Sequence, residues 1–308
     1  MNKVLRIGTR ESELAVWQAT LVQQNLAQHG IASELVYIKS EGDIDLVTPL
    51  YALGVQGIFT KTLDAALLSA RIDIVVHSMK DVPTQMAQGI IQAAVLKRAS
   101  QTDVLVYKNN PLFLEDEQSV ATIATSSVRR MAQWLNRYPN HKIENLRGNV
   151  NTRMQKVKDS NWGGAIFAAA GIERIGLRPS NAIDLHWMLP APAQGAIVVV
   201  CREEDTIVLE QCALLNDTDT AVCTKVERDF LRALMGGCST PIGALAQIEG
   251  EELVFKGNIL SPDGKQKAAI EKRINLSACD KNIGTTLAQQ ILASGGAAIV
   301  EIIQHAAK

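Results

Sequence analysis

The stretch Ile72-Asp-Ile-Val-Val-His-Ser-Met-Lys-Asp-Val-Pro83 decides the fold class. Its first six residues form a compact apolar run with the length of a buried strand. The run ends in His, Lys and Asp where a Gly or Asn turn is ordinary, and Pro83 limits continuation. In open parallel sheets ligands bind at the carboxyl ends of strands, so a charged exit from a buried strand marks a candidate site.

Outward from this stretch, strands and helices alternate. Residues 4–8 and 35–39 read as strands, and 13–29 and 60–69 as helices. Beyond it, residues 103–107, 122–124, 142–146 and 165–169 read as strands, with helices over 127–138 and 151–159. This alternation predicts α/β domains with mainly parallel sheets. The turn-rich Leu189-Pro-Ala-Pro-Ala-Gln-Gly195 leads into another buried strand over 196–201. After about residue 216 the texture changes. A helix over 220–234 is followed by a hairpin, 253–260 and 267–275 about a Ser-Pro-Asp-Gly turn, and a closing helix over 284–293. That tail reads as a small α+β domain.

The 308 residues suffice for two or three domains. Hydrophobic residues make up 47% and charged residues 20%, an ordinary globular balance. No run of about 18 apolar residues is read, so no membrane span is expected. The N-terminus lacks the order of a secretory leader, which leads to an expected cytoplasmic location. A net charge of −1 argues against a general nucleic-acid binder. Five cysteines, an odd number without C-x-x-C spacing, suggest free thiols, with no disulfide framework and no metal site.

Four loops place cations or hydroxyls between a strand and the next helix, where free N–H groups and the helix dipole favour anions. The first holds Arg10 and Ser12; Ser12 also suits a helix N-cap, and alone this loop reads as structural. The second holds His77, Lys80 and Asp81; His77 reads as a packed histidine. The third is Thr125-Ser126-Ser127-Val128-Arg129-Arg130. Two arginines in a first helical turn oppose the dipole, and an anion between them accounts for both. The fourth holds Arg147 and Arg153. Two unit charges about 4 Å apart repel by roughly 4 kcal/mol at an effective dielectric near 20, so arginines gathered in one cleft imply a polyanionic ligand. No phosphate-binding signature is present, which leaves carboxylates as the anion. In Met235-Gly-Gly-Cys-Ser-Thr-Pro241, Cys238 sits on a loop. The residues alone weigh a presented thiolate and an incidental cysteine at a helix C-cap evenly.

These segments, in their order and spacing, resemble the hydroxymethylbilane synthase (porphobilinogen deaminase) family. The resembling strings are Arg6-Ile-Gly-Thr-Arg-Glu-Ser-Glu-Leu-Ala-Val-Trp-Gln-Ala19, Val76-His-Ser-Met-Lys-Asp-Val-Pro-Thr84, Thr125 to Arg130, Leu146-Arg-Gly-Asn-Val-Asn-Thr-Arg153, Leu189 to Ala196 and Gly236-Gly-Cys-Ser-Thr-Pro-Ile-Gly243. The resemblance implies an α/β fold of three domains. The first two would resemble periplasmic-binding-protein lobes around a cleft, and the third would be a small α+β domain. The corresponding boundaries are 1–97 with 196–214, 98–195 and 217–308. It implies a transferase that joins four porphobilinogen units head to tail on a dipyrromethane cofactor, held by a thioether to Cys238, with loss of ammonia and hydrolytic release of the linear tetrapyrrole. Asp81 would stabilise the cationic azafulvene. Arg10, Ser12, Lys80, Thr125, Ser126, Ser127, Arg129, Arg130, Arg147, Arg153, Arg174 and Gln194 would bind cofactor and substrate. A cytoplasmic monomer with no metal, membrane or nucleic-acid partner is the family expectation. Departures from the family pattern fall at Gln56, where lysine is frequent, at Met235, where glutamate is common, and at Lys97-Arg98-Ala99. The competing readings are a non-catalytic binder of an anionic metabolite, which the thiol loop and Asp81 disfavour, and a redox sensor, for which Cys238 lacks a resolving partner.

Overall fold

A computed structural model describes residues 4–39, 60–116, 118–234 and 240–306. The chain opens with β1 (Leu5–Thr9), α1 (Glu13–Gln28), β2 (Ser33–Tyr37), α2 (Lys61–Leu68), β3 (Ile74–Ser78) and β4 (Ile90–Val95). There follow β5 (Asp103–Tyr107), β6 (Thr122–Ala124), α3 (Val128–Arg137), β7 (Lys142–Glu144), α4 (Val150–Asp159), β8 (Gly164–Ala168), α5 (Ala169–Glu173) and β9 (Ala182–Asp184). The remainder is β10 (Ile197–Arg202), α6 (Thr206–Ala213), α7 (Thr218–Ala233), β11 (Ile242–Glu249), β12 (Glu252–Leu260), β13 (Lys267–Asn275), α8 (Ile283–Ile291) and α9 (Ala297–Ala306). The described residues form two compact units. Unit one takes residues up to 99 and 195–222, and unit two takes 100–194 and the residues from 223 onward.

The class is α/β, as the alternation indicates, but the sheets are mixed. In unit one the order is β2-β1-β3-β10-β4. Strands β2, β1 and β3 are parallel, while β10 runs antiparallel to both β3 and β4. Unit two repeats the plan as β7-β6-β8-β5-β9, with β7, β6 and β8 parallel and β5 antiparallel to β8 and β9. Each sheet is a parallel trio extended by one reversed strand and an edge strand.

Buried strand faces make each core. In unit one Ile7, Ile74, Val76, Val199 and Cys201 pack under Ala19, Val22 and Leu26 of α1. The decisive stretch also carries Asp73, fully buried just before β3. Arg6 donates to it from its backbone N at 3.0 Å and from Nε and Nη2 at 2.9 Å. The Arg202 guanidinium lies beside Asp73, 3.5 Å away, while donating to the Leu67 and Ile72 carbonyls. A buried carboxylate is tolerated because cations and N–H groups meet it.

The tail of unit two is an antiparallel sheet, β11-β12-β13, packed against α7, α8 and α9. Phe230 and Phe255 meet edge to face with ring centroids 5.0 Å apart, and a Cβ on Gly257 would stand 2.7 Å from Phe230. Only glycine lets β12 approach that ring pair. The helical stretch from Ile283 to His305 is long and apolar enough to cross a membrane, a property the reading of the sequence did not count. It is not one straight rod. Gly295 (φ +99°) breaks the regular helix, leaving α8 and α9 with 9 and 10 residues, and Leu287, Ile291 and Ile299 enter the sheet core. Each piece is about half the 20 residues a span needs.

Glu227 of α7 ties this tail to the turn before β10. It is fully buried and accepts from the backbone N–H of Ala193 at 2.6 Å and of Ala246 at 2.7 Å. Ala193 is held at φ +64°, a strained conformation for a residue with a side chain. We predict that Glu227→Ala destabilises unit two by about 3 kcal/mol, because two buried N–H groups lose a charged acceptor. Urea unfolding followed by tryptophan fluorescence measures it, and a midpoint equal to wild type refutes the role.

Candidate functional site

The candidate residues of unit one lie at the carboxyl ends of two adjacent parallel strands. Arg10 directly follows β1, and Lys80 and Asp81 form a single 3-10 turn, Met79–Asp81, directly after β3. The register pairs Gly8 with Val75, so both exits share one sheet edge. Met79 is buried and its N–H donates to the Ala196 carbonyl at 3.0 Å, which fixes the turn; Lys80 is half-buried and Asp81 exposed. Ser12 stands at the N-cap of α1, yet its side chain makes no capping bond. Gln18 of α1 is buried and donates from Nε2 to Ser78 Oγ at 2.8 Å, pinning helix to turn. We did not anticipate Gln18 from sequence: glutamine on an apolar helix face carries no signal by itself.

His77 is a packed histidine, as read. Burial, with the Arg10 charge adding to it, pushes its pKa down to about 4.

In unit two the candidates again follow the parallel strands. Thr125, Ser126 and Ser127 follow β6, Arg147 lies beyond β7, and Arg174 ends α5 beyond β8. All three hydroxyls serve the loop itself. Thr125 Oγ1 accepts from the Ser127 N–H at 3.2 Å, and Ser127 Oγ caps α3 through the Arg130 N–H at 3.4 Å. Ser126 Oγ donates to the Leu146 carbonyl and accepts from the Leu146 N–H at 3.1 Å, which fixes the residue before Arg147. Gly148 (φ +113°) turns the chain into α4, where Asn149 caps through the Thr152 N–H at 2.9 Å. Arg153 Nε donates to the Gly148 carbonyl at 2.7 Å. Arg147 is buried, and Arg153 and Arg174 are half-buried. Burial lowers the Arg174 pKa to about 10, with Glu173 partly offsetting it.

Arg129 and Arg130 do not point into solvent. Both are buried against Asp103, the first residue of β5 and itself fully buried. Arg129 Nη1 donates to Asp103 Oδ2 at 2.7 Å and to the Leu189 carbonyl at 2.7 Å. Arg130 donates to Asp103 Oδ1 from Nε at 3.0 Å and Nη2 at 2.7 Å, and to the Ile166 carbonyl from Nη1 at 3.0 Å. Gln194, also fully buried, donates to the same Oδ1 at 2.9 Å and to the Gln101 carbonyl at 2.7 Å. The anion that two arginines at a helix start demand is thus at least partly internal. Burial would raise the Asp103 carboxyl, but Arg129 and Arg130 outweigh it and hold the group well below the usual carboxylate range. Nε of Arg129 is buried with no hydrogen-bond partner among the described residues.

Cys238, Met235 and Gln56 lie outside the described residues. Of the other thiols, burial pushes Cys201 up to about 11 and Cys212 to about 12, and also raises Cys279. These three are protonated and weakly nucleophilic near neutrality.

Two family descriptions match the chain: "Porphobilinogen deaminase, dipyromethane cofactor binding domain" over residues 5–210 and "Porphobilinogen deaminase, C-terminal domain" over 221–293. A protein of Trichlorobacter lovleyi named porphobilinogen deaminase is 41% identical over 304 residues, covering 97% of this chain and 96% of its own. One of Acidithiobacillus ferrooxidans with the same name is 38% identical over 310 residues, covering 99% of this chain and all of its own. Among solved structures, the methionine-binding protein MetQ superposes with a TM-score of 0.43 at 13% identity, covering 71% of this chain and 91% of that one.

The depressed His77 pKa makes a stability prediction. A neutral buried imidazole contributes fully above the unfolded pKa near 6.5, and its contribution is lost as pH falls toward about 4. Between pH 7.5 and 4.5 the wild type should lose roughly 2–3 kcal/mol more than His77→Gln in urea unfolding. Parallel losses would assign the pH dependence to other groups.

Proposed function

The chain belongs to the porphobilinogen deaminase family, and on that premise we propose which of its residues carry the activity. The activity is that of a hydroxymethylbilane synthase, a transferase of tetrapyrrole synthesis with a dipyrromethane cofactor. One observation supports the residue assignment: in each unit the candidate cations follow parallel strands at their carboxyl ends, where such sheets bind ligands.

The residues present fit a polycarboxylate cofactor. Arg129 Nε is a buried donor lacking an acceptor among the described residues, and Arg174 is a guanidinium depressed by burial that an incoming carboxylate would restore. Dipyrromethane, when bound, supplies the primer to which pyrrole units are joined. Arg147, Arg153 and Arg174 would hold acetate and propionate groups, in orientations their loops fix. Arg129 and Arg130, braced by Asp103 and Gln194, would add a charge whose direction is set in advance. The hydroxyls of Thr125, Ser126 and Ser127 act by shaping the loop that presents these arginines. In unit one Arg10, Ser12 and Lys80 would receive the carboxylates of porphobilinogen. As its aminomethyl nitrogen leaves as ammonia, positive charge develops on the pyrrole. The exposed Asp81 carboxylate, on a turn whose backbone is anchored, is suited to hydrogen-bond the pyrrole N–H and stabilise that charge. Cys238 is the attachment point by its place in the Gly-Gly-Cys motif.

We also infer three domains, 1–97 with 196–214, 98–195 and 217–308; a separate sheet in each stretch supports this. The family resemblance and the composition support a cytoplasmic monomer that acts on porphobilinogen without a nucleic-acid or membrane partner.

Two experiments test the assignment. Intact mass of the denatured protein, made in cells with normal tetrapyrrole synthesis, should exceed the sequence mass by two pyrrole units. That excess should vanish in Cys238→Ser, and an unmodified wild type would favour the non-catalytic binder. Asp81→Ala should keep the wild-type melting temperature and lose porphobilinogen turnover by on the order of 100-fold. Turnover at the wild-type rate removes Asp81 from the chemistry.

A further inference from the structure

Asp103 belongs to no motif that led to the assignment, yet Arg129, Arg130 and Gln194 all turn onto it. Its place follows from strand direction. The register sets Asp103 opposite Ala168, the last residue of β8, so the antiparallel β5 begins where the parallel trio ends. A carboxylate is thereby set into the sheet edge that carries the arginine loops.

Charge counting gives it a second property. Two guanidinium charges meet one carboxylate, so the buried cluster keeps one unit of positive charge. The N-terminus of α3 adds a partial positive charge of its own. Every polar side-chain atom of Asp103 and Arg130 named above is engaged, whereas Arg129 Nε is buried without a hydrogen-bond partner among the described residues. The cluster is a stiff receptor with one uncompensated charge and with Arg129 donors, Nε and Nη2, that the cluster itself does not engage. Such a receptor suits a single carboxylate, which neutralises it. A cluster without Asp103 would keep a charge after taking a carboxylate, would hold a dianion more strongly, and would release a growing chain less readily.

We propose that Asp103 is a positioning and selectivity residue of the transferase: it aims Arg129 and Arg130 and cancels one of their charges, leaving a subsite matched to one carboxylate of the pyrrole ligand. This rests on the assignment of the arginine pair to ligand binding.

The test uses the full-length, cofactor-loaded protein with inorganic sulfate as the anion probe. Inhibition of porphobilinogen consumption is measured at constant ionic strength for wild type, Asp103→Asn, Arg130→Gln and the double variant, and circular dichroism melting checks the fold of each. Asp103→Asn should lower the sulfate Ki by at least about fivefold, and Arg130→Gln should raise it by a similar factor. The double variant, whose charge equals that of wild type, should return to within about twofold of the wild-type Ki. Asp103→Glu should keep the wild-type Ki even where its kcat falls, because the charge is retained. A folded Asp103→Asn with the wild-type Ki overturns the proposal. Where Asp103→Asn does not fold, equal Ki values for Arg130→Gln and the double variant overturn it. Sulfate that fails to compete in wild type overturns the ligand assignment of the arginine pair together with this proposal. Competition that ignores the charge at 103 overturns this proposal alone.

Discussion

A carboxylate sealed in the interior, holding two guanidinium groups and a carboxamide, governs the arginine-bearing loops of unit two. Asp103 would not be ionised in that position without Arg129 and Arg130, and those arginines would not lie together at a helix start without Asp103. Each side of the cluster is stable only with the other. Like charges packed at the N-terminus of α3 oppose its dipole, and the price in helix stability is offset by the shared anion beneath. The arrangement also freezes side chains that are otherwise long and mobile.

The cluster extends through the turn that precedes β10. Leu189 offers its carbonyl to Arg129 Nη1 and to Gln133 Nε2, and its N–H to Gln133 Oε1. The next residue, Pro190, accepts from the Ala244 N–H of β11 at 3.1 Å, and Glu227 grips Ala193 and Ala246 together. One short segment therefore touches the arginine pair at one end and the tail sheet at the other. Gly243 explains how closely they meet: a Cβ there would stand 2.9 Å from Leu189 Cβ and 2.8 Å from Asn258 Oδ1. The position of the tail sheet in unit two is thus fixed by close backbone approach that small residues permit, together with the Glu227 carboxylate that bridges the two backbones.

Much of this was legible from the chain and some was not. Strands made of β-branched residues, such as β3 and β10, announce themselves because a compact apolar run of that length has few other uses. Strands β4 (Ile-Ile-Gln-Ala-Ala-Val) and β11 (Ile-Gly-Ala-Leu-Ala-Gln-Ile-Glu) were missed, since Ala, Leu and Gln favour helix locally and only pairing with β10 or β12 makes them strands. Helix α9 was missed because Gly295-Gly296 reads as a stop; it is a kink after which the helix resumes. At the candidate site, the loops after β1, β3, β6 and β7 were visible as charged exits from apolar runs. The counter-charges were not. Glu227 and the turn at Ala193 lie about 30 residues apart and meet only in the folded chain, whereas Gln194 was named through the family resemblance.

Asp103 was overlooked for a reason that lies in topology. In a parallel sheet the start of a strand faces away from the ligand edge, and Asp73, before β3, obeys that rule: Arg6 and Arg202 hold it at the opposite end of its sheet from Arg10 and Asp81. Asp103 also precedes an apolar run and also collects two arginines, so the two sites look alike in sequence. Strand β5 runs against its neighbours, however, and the same local pattern is delivered to the other edge. A reversed strand inserted beside a parallel trio is therefore more than a way to widen a sheet. It brings strand-start residues to the edge where parallel strands end, which lets a buried acid stand among the cations of the loops, as no all-parallel sheet of the same sequence pattern would allow.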